Sequence, residues 1–177
     1  ISKFLIFLNF NDPFKITYII KLISSLLGFF STYYFYISTK NHFNRNISKR
    51  IYLYLSFLIF YITFFHSRTS AENFGISFLL IGLAFYFSFR KRFTYQAAFF
   101  MGLIFGLSFI FRYNLGVSIL FIFFWILFFD KKYVSINLSH LLISMIGIFF
   151  ITILDFIAAT WGFGSIKDLK FYNFFDF

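Results

Sequence analysis

Five polar residues stand where the apolar runs of this sequence are interrupted, and they are of types that can bind a phosphate-bearing ligand. They are Arg68, Glu72, Arg112, Asn114 and Asp155. Two arginines can hold one phosphate by charge-assisted hydrogen bonds. Ionisable groups at membrane depth are costly and usually line a cavity or meet a partner. We therefore predict that these five residues bind substrate.

Each of these residues also has a structural interpretation. Thr69 and Glu72 have the T-x-x-E spacing of a capping box, in which both side chains satisfy free backbone N–H groups at a helix start. Arg68 and Glu72 are four residues apart and could pair on one helix face. Arg112 could extend toward lipid headgroups, and Asp155 could be an ordinary helix-end residue. The sequence leaves these alternatives open.

Other site chemistries have no pattern in the sequence. The three histidines, His42, His66 and His140, lack ligand spacing, so we predict no metal site. The absence of cysteine excludes disulfides, thiolate metal sites and cysteine nucleophiles. We find no phosphate-binding glycine loop, dinucleotide fingerprint, zinc motif or nucleophile elbow, and we predict no cofactor.

The elements that must position the candidate residues are membrane helices. Of the 177 residues, 60% are hydrophobic and 12% charged, which indicates an integral membrane protein whose partner is the lipid bilayer. A spanning segment must satisfy its own backbone hydrogen bonds, so a helical bundle is expected. The net charge of +10 comes from Lys and Arg in loops and forms no continuous basic face, so we predict no nucleic-acid partner.

We predict an all-α fold, a polytopic transmembrane bundle of about six spans in a single domain covering residues 1–177. The spans are placed at about 16–38, 51–65, 74–89, 94–111, 116–129 and 136–154. In the fourth span, Ala98, Gly102 and Gly106 follow one another at four-residue intervals. Such a stripe of small residues lets another helix approach closely, and we expect packing within the chain rather than dimerisation.

The loops between these spans differ in charge. Nine Lys or Arg residues fall in three alternate loops, four at 39–50, three at 90–92 and two at 131–132, whereas the two other turns hold one each. Cytoplasmic loops carry the excess of Lys and Arg, so both ends of the chain are predicted to be non-cytoplasmic. The chain begins at Ile1 without an initiator Met, and we expect it to be an internal piece of a longer protein.

Four short motifs, taken in order, resemble a known family. They are Asp12-Pro13-Phe14 before a helix, SRTSAEN between two spans, GLIFGLSFIFRYNLG with Arg112 at a helix end, and Asp155 followed by the aromatic stretch from Trp161 to Gly164. Their order and spacing resemble those of GT-C type membrane glycosyltransferases, in the group of GPI and dolichol-pathway mannosyltransferases and their bacterial relatives.

The resemblance implies a transferase of the bacterial inner membrane or the endoplasmic reticulum. It would move a mannose-like sugar from a polyprenyl-phosphate or dolichyl-phosphate carrier to a lipid-linked or protein-linked acceptor. The family's catalytic acid lies upstream of this chain, so no residue here takes that role and the isolated piece is expected to be inactive. The alternatives are a transporter or channel fragment, in which the same polar residues line a path, and a noncatalytic membrane scaffold.

Overall fold

The computed structural model describes residues 13–40, 46–58, 71–129 and 137–163, and nearly all of these residues are helical. The six α-helices within them are α1 (Pro13–Thr39), α2 (Asn46–Leu58), α3 (Ala71–Phe89), α4 (Tyr95–Phe111), α5 (Leu115–Phe128) and α6 (Leu138–Phe163). Three stretches are long and apolar enough to cross a membrane: Thr17–Thr39, Glu72–Arg92 and Leu138–Ala158. Helices α4 and α5 are apolar but shorter. The all-α prediction is confirmed for the described residues.

Two interruptions predicted from charge and polarity are present. Residues Arg90–Arg92 form a 3-10 turn after α3. Helix α4 begins after Thr94, whose hydroxyl accepts a hydrogen bond from the Ala97 backbone N–H at 3.2 Å and so satisfies a free donor of the first turn. The same helix ends at Phe111, because Arg112 is extended, with φ −154° and ψ 104°.

Helix α1 begins at Pro13, whose ring favours the first helical turn, and its apolar stretch Thr17–Thr39 agrees with the span predicted at about 16–38. Two other predicted boundaries are wrong. Helix α2 begins at Asn46 rather than near 51, so Lys49 and Arg50 lie on a helix and not in a loop. Helix α6 continues to Phe163, which places Asp155 inside a helix rather than at the start of a tail. A single carboxylate does not stop a helix, and neither Gly nor Pro occurs between Asp155 and Gly162.

Helices α1 and α3 pack in parallel through polar side chains. The amide of Asn73, in the first turn of α3, donates to the hydroxyl of Ser24, about midway along α1. Near their ends, the Ser38 and Ser88 hydroxyl oxygens lie 3.0 Å apart. Because both contacts join residues in the same order along the chain, the two helices run in the same direction.

Helices α4 and α6 also pack in parallel, but through small residues. The Ser144 hydroxyl donates to the Ala98 carbonyl at 2.7 Å, and Gly102 lies against the Ser144 backbone. One turn further along α4, a Cβ added at Gly106 would lie 3.1 Å from Ile151 Cβ. The stripe of small residues therefore serves contact within the chain, which confirms the internal-packing prediction.

An apolar core lies where α3, α4 and α5 meet. Its fully buried members are Ala98, Met101, Phe105 and Tyr86. The Tyr86 ring also contacts Trp125 of α5, with 6.3 Å between centroids. The order across the bundle is α1, α3, α4, α6, because each of these helices packs on the next.

The two ends of the bundle carry different charges. The end that we call the polar end holds Glu72, Arg112, Asn114 and Asp155. The opposite end, which we call the basic end, holds Lys40, Lys49, Arg50 and the 3-10 turn Arg90–Arg92. Among the described residues both acids, Glu72 and Asp155, lie on the polar side. Lys15 and Lys21 of α1 also lie at the polar end, so the described residues there include three cations and two acids, against six cations and no acid at the basic end. The excess of positive charge therefore lies at the basic end.

Candidate functional site

The polar end brings two of the five predicted residues into contact. Glu72 is the second residue of α3, and Arg112 directly follows α4. The Arg112 Nη2 atom forms an ion pair with Glu72 Oε1, and their side chains are 45% and 38% exposed. A guanidinium has five N–H donors, so one carboxylate contact leaves others for a ligand. The pair is both fixed in place and open to an approaching anion.

Backbone contacts hold the two helices together beside this ion pair. The buried Ser108 hydroxyl of α4 donates to the Gly75 carbonyl of α3 at 2.8 Å. A Cβ added at Gly75 would lie 3.3 Å from Arg112 Cβ and 2.8 Å from Leu115 Cδ1. The Phe74 ring stacks on Phe111 with centroids 5.3 Å apart. Glycine at position 75 thus permits the approach that lets Arg112 reach Glu72.

The turn from Arg112 to Asn114 reverses the chain between α4 and α5. The Leu115 N–H donates to the Arg112 carbonyl at 3.0 Å, and the Gly116 N–H donates to the Tyr113 carbonyl at 2.9 Å. Asn114 precedes α5 and forms no capping hydrogen bond with its side chain, which is exposed. The Asn114 amide is therefore available to a ligand held by Arg112.

The remaining predicted residues are placed differently. Asp155 is exposed on α6, one turn after Ile151, and within the described part of the chain its carboxylate has no hydrogen bond or ion pair. It lies at the polar end, but the structure does not join it to Glu72 and Arg112. Arg68 and Thr69 lie outside the described residues, as do the capping box and the Arg68–Glu72 pair. Among the described residues, the ion-pair partner of Glu72 is Arg112.

An apolar groove of about 540 Å³ opens beside the Arg112 turn. Helices α4, α5 and α6 form its walls, and Tyr113, the residue after Arg112, contributes to its rim. Leu120 and Phe149 line it and are 60% and 66% exposed, so the groove opens on the outer surface of the bundle. Sequence reasoning missed this groove because its walls come from three separate helices.

The described residues contain no group of three His, Cys, Asp or Glu side chains that could hold a metal ion. The candidate site accordingly consists of one half-exposed cation, its carboxylate partner, an exposed amide and an adjoining apolar groove. Such an arrangement can bind an amphiphile with an anionic head.

Comparisons with known proteins add no family assignment. No protein-family model matches the chain, and neither a curated protein nor a solved structure matches it. The function is therefore inferred from the geometry of the polar end together with the sequence motifs.

Proposed function

We propose that the chain is the membrane-embedded part of a glycosyltransferase that takes a mannose-like sugar from a polyprenyl-phosphate or dolichyl-phosphate carrier. The acceptor is a lipid-linked or protein-linked group. The observation that carries this proposal is the Glu72–Arg112 ion pair beside the apolar groove. A lipid-linked sugar phosphate presents an anion and a hydrocarbon chain side by side, and the polar end offers a matching surface for each.

Arg112 is the residue that we assign to the carrier phosphate. Its guanidinium has planar donors suited to phosphate oxygens, and the Glu72 carboxylate orients it before the ligand arrives. When the bond between sugar and phosphate breaks, negative charge grows on the departing phosphate. A cation already in place stabilises that charge without reorganisation.

The groove is the surface that we assign to the hydrocarbon chain of the carrier. It is lined by apolar and aromatic side chains such as Phe109, Val117 and Phe123, with Tyr113 at the rim next to Arg112. Its volume falls in the range of about 300–1,000 Å³ that small-molecule sites occupy. A chain in this groove would place its phosphate at the level of the guanidinium.

The proposal includes an orientation and a compartment. We place the polar end on the outer or lumenal face of the bacterial inner membrane or endoplasmic reticulum, because the basic residues concentrate at the opposite end. We also propose that all six helices cross the bilayer. The parallel pairs α1–α3 and α4–α6 support this, because alternate spans of an up-and-down bundle run in the same direction. Helix α4, with 17 residues, lies at the short limit of about 17–25 for a spanning helix. Helix α5, with 14 residues, is shorter than this limit and would require local thinning of the bilayer.

The proposal is tested by replacing Arg112 in the full-length protein and measuring donor-dependent sugar transfer. Removing a charged donor of this kind costs on the order of 3 kcal/mol of transition-state stabilisation, so Arg112→Ala should lower the rate about a hundredfold. Arg112→Lys keeps the charge but loses the planar fork, and its rate should fall between those of the wild type and Arg112→Ala.

Arg92→Ala is the matched control, since Arg92 is an exposed arginine at the basic end. Its rate should stay near that of the wild type. The amount of folded protein is measured for each variant by size-exclusion chromatography. A near-normal rate for folded Arg112→Ala would return this arginine to a purely structural role.

A further inference from the structure

Two polar contacts draw three elements together at the basic end. The Thr39 hydroxyl of α1 lies 2.7 Å from the Tyr52 hydroxyl of α2, and the Ser38 and Ser88 hydroxyls join α1 to α3 at 3.0 Å. These contacts join the end of α1 to the middle of α2 and to the end of α3.

Each of these elements contributes one half-buried cation. Lys40 follows Thr39 directly, and Lys49 lies one turn before Tyr52 on α2. Arg90 follows Ser88 by two residues, and its guanidinium carbon lies 5.7 Å from the centre of the Phe87 ring. These three side chains are half-buried, whereas the other cations of the basic end, Arg50, Lys91 and Arg92, are exposed.

The described part of the basic end holds no carboxylate that could pair with Lys40 or Lys49. Within the described part of the chain, neither Lys40 nor Lys49 has a hydrogen-bond or ion-pair partner for its ammonium group. Segment 41–45, which links α1 to α2, contains no acid, and Asp130 in the loop after α5 is followed by two lysines. Partial removal of a cation from water is costly unless an anion replaces the lost hydration. An external anion would supply that charge.

We propose that Lys40, Lys49 and Arg90 bind the headgroup of an anionic phospholipid. Basic surfaces between membrane helices on the cytoplasmic side are suited to such headgroups. Exposed apolar side chains lie directly beside the cations, with Ile37 37% and Phe89 45% exposed, and they offer contact to the acyl chains. This pairing of cations with an apolar flank favours a lipid over free phosphate. The site lies at the opposite end from the glycosyltransferase site and does not depend on transferase activity. It rests on the orientation proposed above, which places the basic end on the cytoplasmic side.

The test measures lipid affinity of the full-length protein in phosphatidylcholine nanodiscs with increasing phosphatidylglycerol, read as the shift in unfolding temperature. Phosphatidylglycerol should stabilise the wild type. At about 1 kcal/mol per lysine near the membrane surface, Lys40→Gln with Lys49→Gln should weaken the apparent affinity about 30-fold. The control is Lys15→Gln with Lys21→Gln, two exposed lysines of the same helix at its other end, which should change the affinity less than about twofold.

Two further measurements serve as controls, one with a charge-retaining variant and one with inorganic phosphate. Lys40→Arg with Lys49→Arg retains both charges and should retain lipid binding, which separates loss of charge from loss of fold. Inorganic phosphate at the same concentration should give no comparable shift. Equal loss in the control pair, equal stabilisation by inorganic phosphate, or no preference for phosphatidylglycerol over phosphatidylcholine would each overturn the proposal.

Discussion

The α4–α6 and α1–α3 interfaces are both parallel helix pairs, yet they are built from different contacts. Between α4 and α6 the backbones themselves meet, because a Cβ added at Gly147 would lie 2.6 Å from the Phe99 carbonyl oxygen. Between α1 and α3 the contacts are made by side chains, chiefly Ser24 with Asn73. Close approach of the backbones dominates the α4–α6 interface, which also has the Ser144–Ala98 hydrogen bond. Side-chain hydrogen bonds dominate the α1–α3 interface.

The difference shows which helix pair is expected to resist movement. In lipid, helices gain nothing from burying apolar surface against each other, so close approach and hydrogen bonds must hold them together. Two backbones in contact cannot separate without losing many dispersion contacts, whereas a side-chain hydrogen bond can adjust by rotation. Arg112 follows α4 and Glu72 begins α3, so the candidate site joins one member of each pair. We infer that Arg112 is held by the more rigid of the two helix pairs, α4–α6.

Gly102→Ala should give the largest loss of stability. The new Cβ would meet the Ser144 carbonyl and Cα atoms, which are backbone and cannot rotate away, so α4 and α6 must separate. Overpacking of this kind costs about 1–3 kcal/mol, and we expect the upper part of that range. The free energy of unfolding is measured in mixed micelles with increasing denaturing detergent.

Gly116→Ala is the control for this substitution. Its Cβ would meet only the half-buried Phe109 ring, at 2.9 Å, and a ring can turn aside. We expect a change below about 0.5 kcal/mol. Equal losses for the two glycines would contradict the distinction between backbone and side-chain neighbours.

The hydrogen-bonded interface should show a smaller effect. Asn73→Ala removes the donor to Ser24, and we expect a loss of about 1–2 kcal/mol. A double-mutant cycle with Ser24→Ala should give a coupling energy of about 0.6 kcal/mol, the average for hydrogen bonds between membrane helices, and at most about 1.7 kcal/mol. Ser25→Ala serves as the control, because the Ser25 hydroxyl donates to the Lys21 carbonyl within α1. Zero coupling between Asn73 and Ser24 would show that their contact does not hold the helices.

Ser77→Ala should have a smaller effect than Asn73→Ala, and it should be stabilising. Ser77 follows Asn73 by one turn of α3 and is fully buried, and its hydroxyl has no hydrogen-bond partner among the described residues. Removing an unsatisfied hydroxyl should raise the free energy of unfolding by up to about 1 kcal/mol. Ser144→Ala, which removes the bond to Ala98, should lower it by about 1 kcal/mol. A loss in both variants would show that Ser77 does have a partner in the membrane.

The sequence by itself determined the class of structure and the main interruptions of the chain. Apolar runs of spanning length must be helical, because no water is present to satisfy their backbone groups. Charged and polar clusters mark the breaks at Arg90–Arg92 and after Phe111 because they favour water over hydrocarbon. The four-residue spacing of Ala98, Gly102 and Gly106 is also local, and it correctly indicated a helix face for close contact. The transferase assignment stays a prediction.

The tertiary structure alone decided which side chains meet. Helices α4 and α5 are apolar around most of their surface, so the sequence contains no polar face to fix their rotation. The Glu72–Arg112 pair, the contact of Asn73 with Ser24 and the groove all depend on that rotation and on the relative depth of neighbouring helices. Asp155 lies inside α6 for a related reason: nothing local ends the helix there, and only its position against α4 places the carboxylate at the polar end.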